Sequence, residues 1–170
     1  DVSKDASGDV SSVADFTTSS IEAYNDFLKG RDLYDKGYFE EARQALLNAV
    51  ETDPGFAVAR LYLAYVYGGL RSVKLQEEAY EKAKALSGRA TEKERFYIEA
   101  SYAASIEKDR EKMFRILREL TAKYPKEKRA LVTLASYYLG KKMFPEALGE
   151  LDKALALDPS FAGAAEARQV

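Results

Sequence analysis

Ala154-Leu-Ala-Leu-Asp-Pro159 closes a phrase that the chain has already used twice, as Ala49-Val-Glu-Thr-Asp-Pro54 and as Leu120-Thr-Ala-Lys-Tyr-Pro125. From Pro125 to Pro159 the numbering advances by 34, and from Pro54 to Pro125 by 71, two periods of 34 plus three. Twelve residues before the prolines are Ala42, Met113 and Ala147, and five before them are Ala49, Leu120 and Ala154. Positions seven apart fall on one face of a helix with 3.6 residues per turn, and small side chains there let a second helix approach closely. Twenty-four residues before each proline the chain again places a small residue, Gly30, Ser101 or Ala135. A period of this length is the mark of a repeat architecture.

A helix-turn-helix unit with this period and these features resembles the tetratricopeptide repeat. Residues 128–161 carry the resemblance most fully, through Leu131, Leu134, Ala135, Tyr138, Phe144, Ala147, Leu151, Ala154 and Pro159. Residues 23–56 carry it through Gly30, Leu33, Gly37, Phe39, Ala42, Leu46, Ala49 and Pro54, with Lys29 where an apolar residue is usual. Residues 94–127 substitute Met113 and Leu120 for small residues. Residues 57–93 keep a first helix with Leu63, Ala64 and Tyr67, then carry three extra residues after Gly69 and lack the proline. The resemblance implies an all-α fold, a right-handed superhelical stack of helix-turn-helix repeats over 20–170, with a partial terminal helix at 162–170 and a flexible linker at 1–19.

Local signals agree with that period. Ser19 with Glu22, and Thr91 with Glu94, have the spacing of capping boxes and predict helix starts. Pro145 falls in the first turn of a helix, where a missing N–H is no loss, and Gly68-Gly69 and Gly140 close first helices. The predicted helices are 20–36, 38–52, 55–70, 73–87, 92–106, 109–123, 126–140 and 144–157, with a fragment from 160. Asp1 in place of an initiating Met, the Ser- and Asp-rich stretch 1–20 and the short helical phrase from Phe161 to Arg168 lead to the expectation of a piece of a longer protein.

Composition narrows the chemistry. The chain has 26 Lys and Arg against 28 Asp and Glu, interleaved along its length, so it lacks the concentrated positive charge that gives affinity for nucleic acid. No apolar run reaches the roughly 20 residues that cross a bilayer, and the expectation is a soluble chain of undetermined compartment. There is no cysteine and no histidine, which removes thiol nucleophiles, thiolate metal sites and the commonest general base. Glu40-Glu41 and Glu77-Glu78 are adjacent carboxylates, but neighbours on a helix diverge by about 100 degrees and do not face one substrate. Gly140-Lys141 lacks the glycine and hydroxyl residue of a phosphate loop. The expectation is no enzyme, no cofactor and no metal.

What remains is binding. The resemblance implies that the second, fifth, ninth and twelfth residues of each unit line a common face. They are Tyr24, Phe27, Arg31 and Tyr34; Val58, Leu61, Tyr65 and Gly68; Arg95, Ile98, Tyr102 and Ser105; and Arg129, Val132, Ser136 and Leu139. Aromatic residues and arginine are enriched at binding hot spots, so the candidate partner-binding residues are Tyr24, Phe27, Arg31, Tyr34, Leu61, Tyr65, Arg95, Ile98, Tyr102, Arg129 and Val132. For Phe27, Leu61, Ile98 and Val132, packing of one unit on the next accounts for the side chain equally well. For Arg31, Tyr65, Tyr102 and Arg129, binding is the favoured reading, whereas Tyr67 and Tyr138 sit at the repeat's own aromatic packing position and belong to the core. A terminal-carboxylate clamp known in the family is not matched, since Phe27 and Arg31 occupy its first positions. The expected role is a protein–protein interaction module that holds a peptide or helix in a concave groove, as a scaffolding or regulatory part of a larger protein. The phrase from Thr18 to Gly30 after a linker resembles repeat domains of bacterial signalling proteins. The alternative is a homodimer formed through the unfinished C-terminal repeat.

Overall fold

The computed structural model describes residues 18–161, so the linker expected at 1–19 lies almost wholly outside the described residues, as does the expected terminal helix at 162–170. Among the described residues there are eight α-helices, one 3₁₀ turn and no strand. The helices are α1 (Ile21–Asp35), α2 (Phe39–Thr52), α3 (Ala57–Gly69), α4 (Val73–Leu86), α5 (Glu92–Ser105), α6 (Arg110–Lys123), α7 (Lys128–Gly140) and α8 (Phe144–Leu157). Each lies within a residue or two of the range expected from the sequence. The chain divides into two compact units, Asp1–Ile98 and Glu99–Val170, with the division inside α5.

In the first unit, α2 shows how the sequence makes its helices. Its buried residues Ala42, Ala45, Leu46, Ala49 and Val50 follow the spacing of one apolar stripe. That stripe meets α1 at Gly30, where a β-carbon would lie 2.6 Å from Leu46 Cγ, so a glycine is what lets the two helices come together. A second close approach joins α2 to α3. The ring of Phe39 lies where a β-carbon on Gly69 would stand, 2.9 Å from it. Between α2 and α3 the chain turns through Asp53, whose Oδ1 accepts from Gly55 N at 2.9 Å while its carbonyl accepts from Phe56 N at 3.1 Å. The turn delivers Phe56 to the core, fully buried beside Phe27 with ring centroids 5.1 Å apart.

In the second unit, α8 repeats α2 in phase. Ala147, Glu150, Leu151 and Ala154 are its buried residues, and Leu131, Ala135, Leu151 and Ala154 form a core against which Val132, Leu155 and Phe161 pack. Asp109 caps α6 by accepting from Lys112 N at 2.8 Å. Pro145 is in the first turn of α8, where the sequence places it.

The hairpin turns fix the register. Gly37, Arg71, Lys108 and Lys142 have φ of 79°, 57°, 58° and 60°, the left-handed conformation that costs a residue with a β-carbon about 1–2 kcal/mol. Tyr38, Ser72 and Met143 N–H groups reach back to Leu33, Tyr67 and Tyr138 carbonyls at 2.9, 2.9 and 3.0 Å. The turn between α3 and α4 is therefore regular, and the irregularity expected after Gly69 lies further on. A 3₁₀ turn at Ser87–Arg89 stands where the other links have Asp or Tyr followed by Pro, and the α5–α6 turn is one residue longer, with Asp109 N donating to Ala103 O at 2.8 Å. A second correction concerns the start of α1. Ser20 rather than Ser19 is the N-cap, its hydroxyl accepting from Ala23 N at 3.1 Å; with Ile21 first in the helix, Glu22 is one residue too early to reach back to the cap. The Thr91–Glu94 box forms as expected, with Glu94 Oε2 accepting from Thr91 N at 2.9 Å and Thr91 Oγ1 from Glu94 N at 3.3 Å.

Candidate partner-binding surface

In the first unit α1 carries Tyr24, Phe27, Arg31 and Tyr34 at steps of three and four residues, which puts all of them on one helix face. α3 carries Leu61 and Tyr65 one turn apart. Tyr24, Phe27 and Leu61 are buried, whereas Arg31, Tyr34 and Tyr65 are half-buried. Three of these side chains therefore lie in the core and three reach the surface. Ring contacts join them: Tyr34 lies 5.9 Å from Tyr65 and 6.0 Å from Tyr62, Phe27 lies 5.3 Å from Tyr62, and Tyr65 lies 6.4 Å from Tyr80 on α4. Separations and tilts of this kind are the favoured ones for aromatic pairs. The guanidinium of Arg31 stands 5.8 Å from the centre of the Phe27 ring, within cation–π range.

The remaining candidates are more scattered. Ile98 is buried, and Arg95 is exposed with Nη2 donating to Ala90 O at 3.3 Å. In the second unit Tyr102, Arg129 and Val132 are half-buried, and Val132 packs against the Leu131 core. The structure therefore buries Tyr24, Phe27, Leu61 and Ile98, and their side chains have almost no surface to offer a partner. It also corrects the assignment of Tyr67 and Tyr138 to the core, since both are half-buried. Tyr62 and Tyr137, each flanking a repeat position in sequence, are buried instead, as are Tyr24 and Tyr80.

Tyr137 belongs to a site that the sequence does not announce. Its ring stacks on Phe114 at 4.4 Å and 23°, its hydroxyl donates to Glu111 Oε2, and Lys141 Nζ donates to Glu111 Oε1 at 2.8 Å. Hydrogen bonding by Lys141 first and by Tyr137 second holds the Glu111 carboxyl below the usual carboxylate range. The same bond to Glu111, with burial behind it, pushes the Tyr137 hydroxyl up, and Glu111 raises Lys141. Glu111 and Lys141 lie 30 residues apart, so only the repeat register brings them together, and no local pattern points to the pair.

The sequence matches no family model and no curated protein. Solved structures do match. The chain is similar to PilF of Pseudomonas aeruginosa, at 26% identity over 87% of this chain and 68% of that one, with a TM-score of 0.54. It is similar also to TTC0263, a thermophilic TPR protein of Thermus thermophilus, at 19% identity over 86% of this chain and 81% of that one, with a TM-score of 0.56. The chain has the tetratricopeptide repeat fold. Its fold is accordingly an all-α helical repeat. Among its described residues no helix is long and apolar enough to cross a membrane.

Proposed function

We propose that this tetratricopeptide repeat domain, spanning 20–170 with units at 23–56, 57–93, 94–127 and 128–161, holds a peptide or helix of a partner protein, as a scaffolding or regulatory part of a larger protein. The contact face in the first unit is the rim of Arg31, Tyr34 and Tyr65. The observation that carries this reading is the ring network: Tyr34 and Tyr65 are half-buried yet braced by Tyr62 and Tyr80, so their rings are ordered before a partner arrives. Binding to rings already fixed in place avoids the roughly 0.5–1.5 kcal/mol lost for each side chain immobilised on association. Tyr102 and Arg129 form the corresponding rim in the second unit. The test is capture of a partner by the intact chain and by Tyr65→Ala, each checked for its melting temperature. Loss of about 1–2 kcal/mol of affinity with folding retained supports the face; unchanged affinity per folded molecule removes Tyr65 from it.

A second reading is favoured by one observation. On α8, Phe144 and Leu148 are 56% and 45% exposed, four residues apart on one helix face, and a second copy covering them makes a homodimer. Light scattering across a range of concentrations decides it, with a constant monomer mass counting against the dimer.

A further inference from the structure

We propose that, apart from its groove, the domain contacts lipid through the turn between α7 and α8, which seats it peripherally on an anionic bilayer surface. Met143 and Phe144 enter among the acyl chains, and Lys141 and Lys142 lie among the headgroup phosphates.

The distribution of exposed apolar residues points there. Eight large apolar side chains are exposed among the described residues, and five of them are Tyr38, Val73, Leu75, Met143 and Phe144. Each of the five stands at the turn inside a helix pair or in the first turn of the helix after it. Scattered exposure is ordinary, but gathering at one kind of position is not. Cations accompany them. In the first unit the exposed Arg71 and Lys74 flank Val73. In the second unit the exposed Lys141 and Lys142 precede Met143 and Phe144, which are 39% and 56% exposed. The left-handed bend at Lys142 puts this strip at the tip of its hairpin.

The surroundings of the tip favour anions. The α5–α6 turn lies at the same end of the second unit, because Glu111 at the start of α6 accepts from Lys141 at the end of α7 at 2.8 Å. That turn adds the exposed Lys108 and Arg110. The carboxylates it brings are occupied from within: Glu107 by Lys112 at 2.7 Å, Asp109 by Lys112 N, and Glu111 by Lys141 and the Tyr137 hydroxyl. Lys141 remains 53% exposed beside Glu111, and an ammonium has three donors to share. Glu146 is an exposed carboxylate next to the tip. A small apolar tip ringed by cations matches an interface where anionic headgroups surround acyl chains. The strip protrudes, and a bilayer receives a protrusion without a matching pocket, which a protein partner would have to supply.

The chain has no tryptophan, so Phe144→Trp makes a single fluorescent reporter. The intact chain and its variants, each with the parent's melting temperature, are sedimented with vesicles of phosphatidylcholine alone or with roughly 30% phosphatidylglycerol. Binding is expected on the anionic vesicles at low salt, with release at roughly 0.5 M salt and a blue shift of the Phe144→Trp emission. Lys141→Gln with Lys142→Gln should lower partitioning roughly tenfold to thirtyfold, at about fivefold per cation near the surface. Met143→Ser with Phe144→Ser should also lower it, at unchanged charge, and Glu146→Gln should raise it about twofold to fivefold. Lys126→Gln, in the α6–α7 link at the other end of the unit, should change it by less than about twofold.

Equal sedimentation with both vesicles overturns the proposal. So does a loss from Lys126→Gln as large as that from the Lys141 and Lys142 pair, the mark of diffuse attraction without an oriented contact. Emission that stays unshifted on sedimented protein removes the tip from the bilayer. If soluble polyglutamate displaces the vesicles and the Met143 and Phe144 variant binds like the parent, the turn takes an acidic protein and the lipid assignment falls. A mass that rises with protein concentration in the absence of lipid, together with unshifted Phe144→Trp emission on vesicles, assigns Phe144 to a second copy and overturns it as well.

Discussion

Helices α2 and α8 are the same helix written twice, with opposite fates for one stripe. Phe39, Ala42, Leu46, Ala49 and Val50 of the first correspond to Phe144, Ala147, Leu151, Ala154 and Leu155 of the second. In α2 the whole stripe has company: Leu46 lies against Gly30 of α1, and the Phe39 ring lies on Gly69 of α3. In α8 the middle of the stripe is buried as deeply, with Leu151 and Ala154 at 1% and 0% exposure, but Phe144 stays 56% exposed. The aromatic residue at the head of α2 is half-buried, with Gly69 of the next hairpin against its ring and Tyr34 of its own hairpin 5.9 Å away. A second difference lies on the flank. Where α2 has the buried Ala45, α8 has Glu150, buried but met by Lys153 at 3.0 Å and Arg118 at 3.8 Å, so a charge replaces a methyl only where cations reach it.

The largest effects should therefore be shared by the two helices. Leu46→Ala and Leu151→Ala each remove a fully buried side chain from a closely packed site, and each should cost about 2–5 kcal/mol in urea unfolding. A cost below about 1 kcal/mol at Leu151 would break the equivalence and show that the α7–α8 hairpin collapses around the loss.

The next effect should separate them. Phe39→Ala is expected to cost about 1–3 kcal/mol, because the ring fills the space over Gly69 and lies 5.9 Å from Tyr34. Phe144→Ala should change stability by less than about 0.5 kcal/mol. A large loss at Phe144 in solution would mean that something covers α8 there, and its dependence on protein concentration would tell a second copy from the chain itself.

Smaller again is the contrast between turns. Gly37 and Lys142 occupy equivalent left-handed positions, with φ of 79° and 60°. Gly37→Ala should lose about 1 kcal/mol and Lys142→Gly should gain up to about 1 kcal/mol, since only glycine adopts that conformation without steric cost. Calorimetric melting of the two variants checks both signs.

These features divide by how they could be read from sequence. The helices, the hairpin period and the buried positions Ala42, Ala49, Ala147 and Ala154 were legible because spacing along one helix is a local property. That Arg31, Tyr34 and Tyr65 are in register with one another was legible through the repeat period alone. That register could not say that Phe27 on the same face is buried, because its cover depends on Phe56 and Tyr62 arriving from the next hairpin. The Glu111–Tyr137–Lys141 site was invisible for the same reason, its members being distant in sequence and ordinary one by one. The left-handed turns at Arg71, Lys108 and Lys142 were hidden by residues that do not advertise them, whereas Gly37 did.

The smallest difference concerns the links that follow the two helices. Asp53 accepts from Gly55 N, and Asp158 makes the same turn through Ser160 N at 3.0 Å but adds the Ser160 hydroxyl at 2.7 Å and Lys128 Nζ at 3.0 Å. Those partners, the Ser160 hydroxyl first and Lys128 second, hold the Asp158 carboxyl below its ordinary value. A carboxyl whose folded value is depressed contributes stability that is present above the unfolded value, about 4, and is lost as pH falls through the folded value. Melting temperature should therefore fall as pH drops below about 4. Glu111 is depressed in the same direction, so Asp158→Asn should make that fall shallower without abolishing it. Asp158→Asn combined with Glu111→Gln should flatten it further, and raised salt should weaken the parent's dependence, since Lys128 and Lys141 act partly through screened charge. An Asp158→Asn chain whose acid melting curve keeps the parent's slope would show that the extra partners seen at Asp158 add nothing to what Asp53 achieves with one.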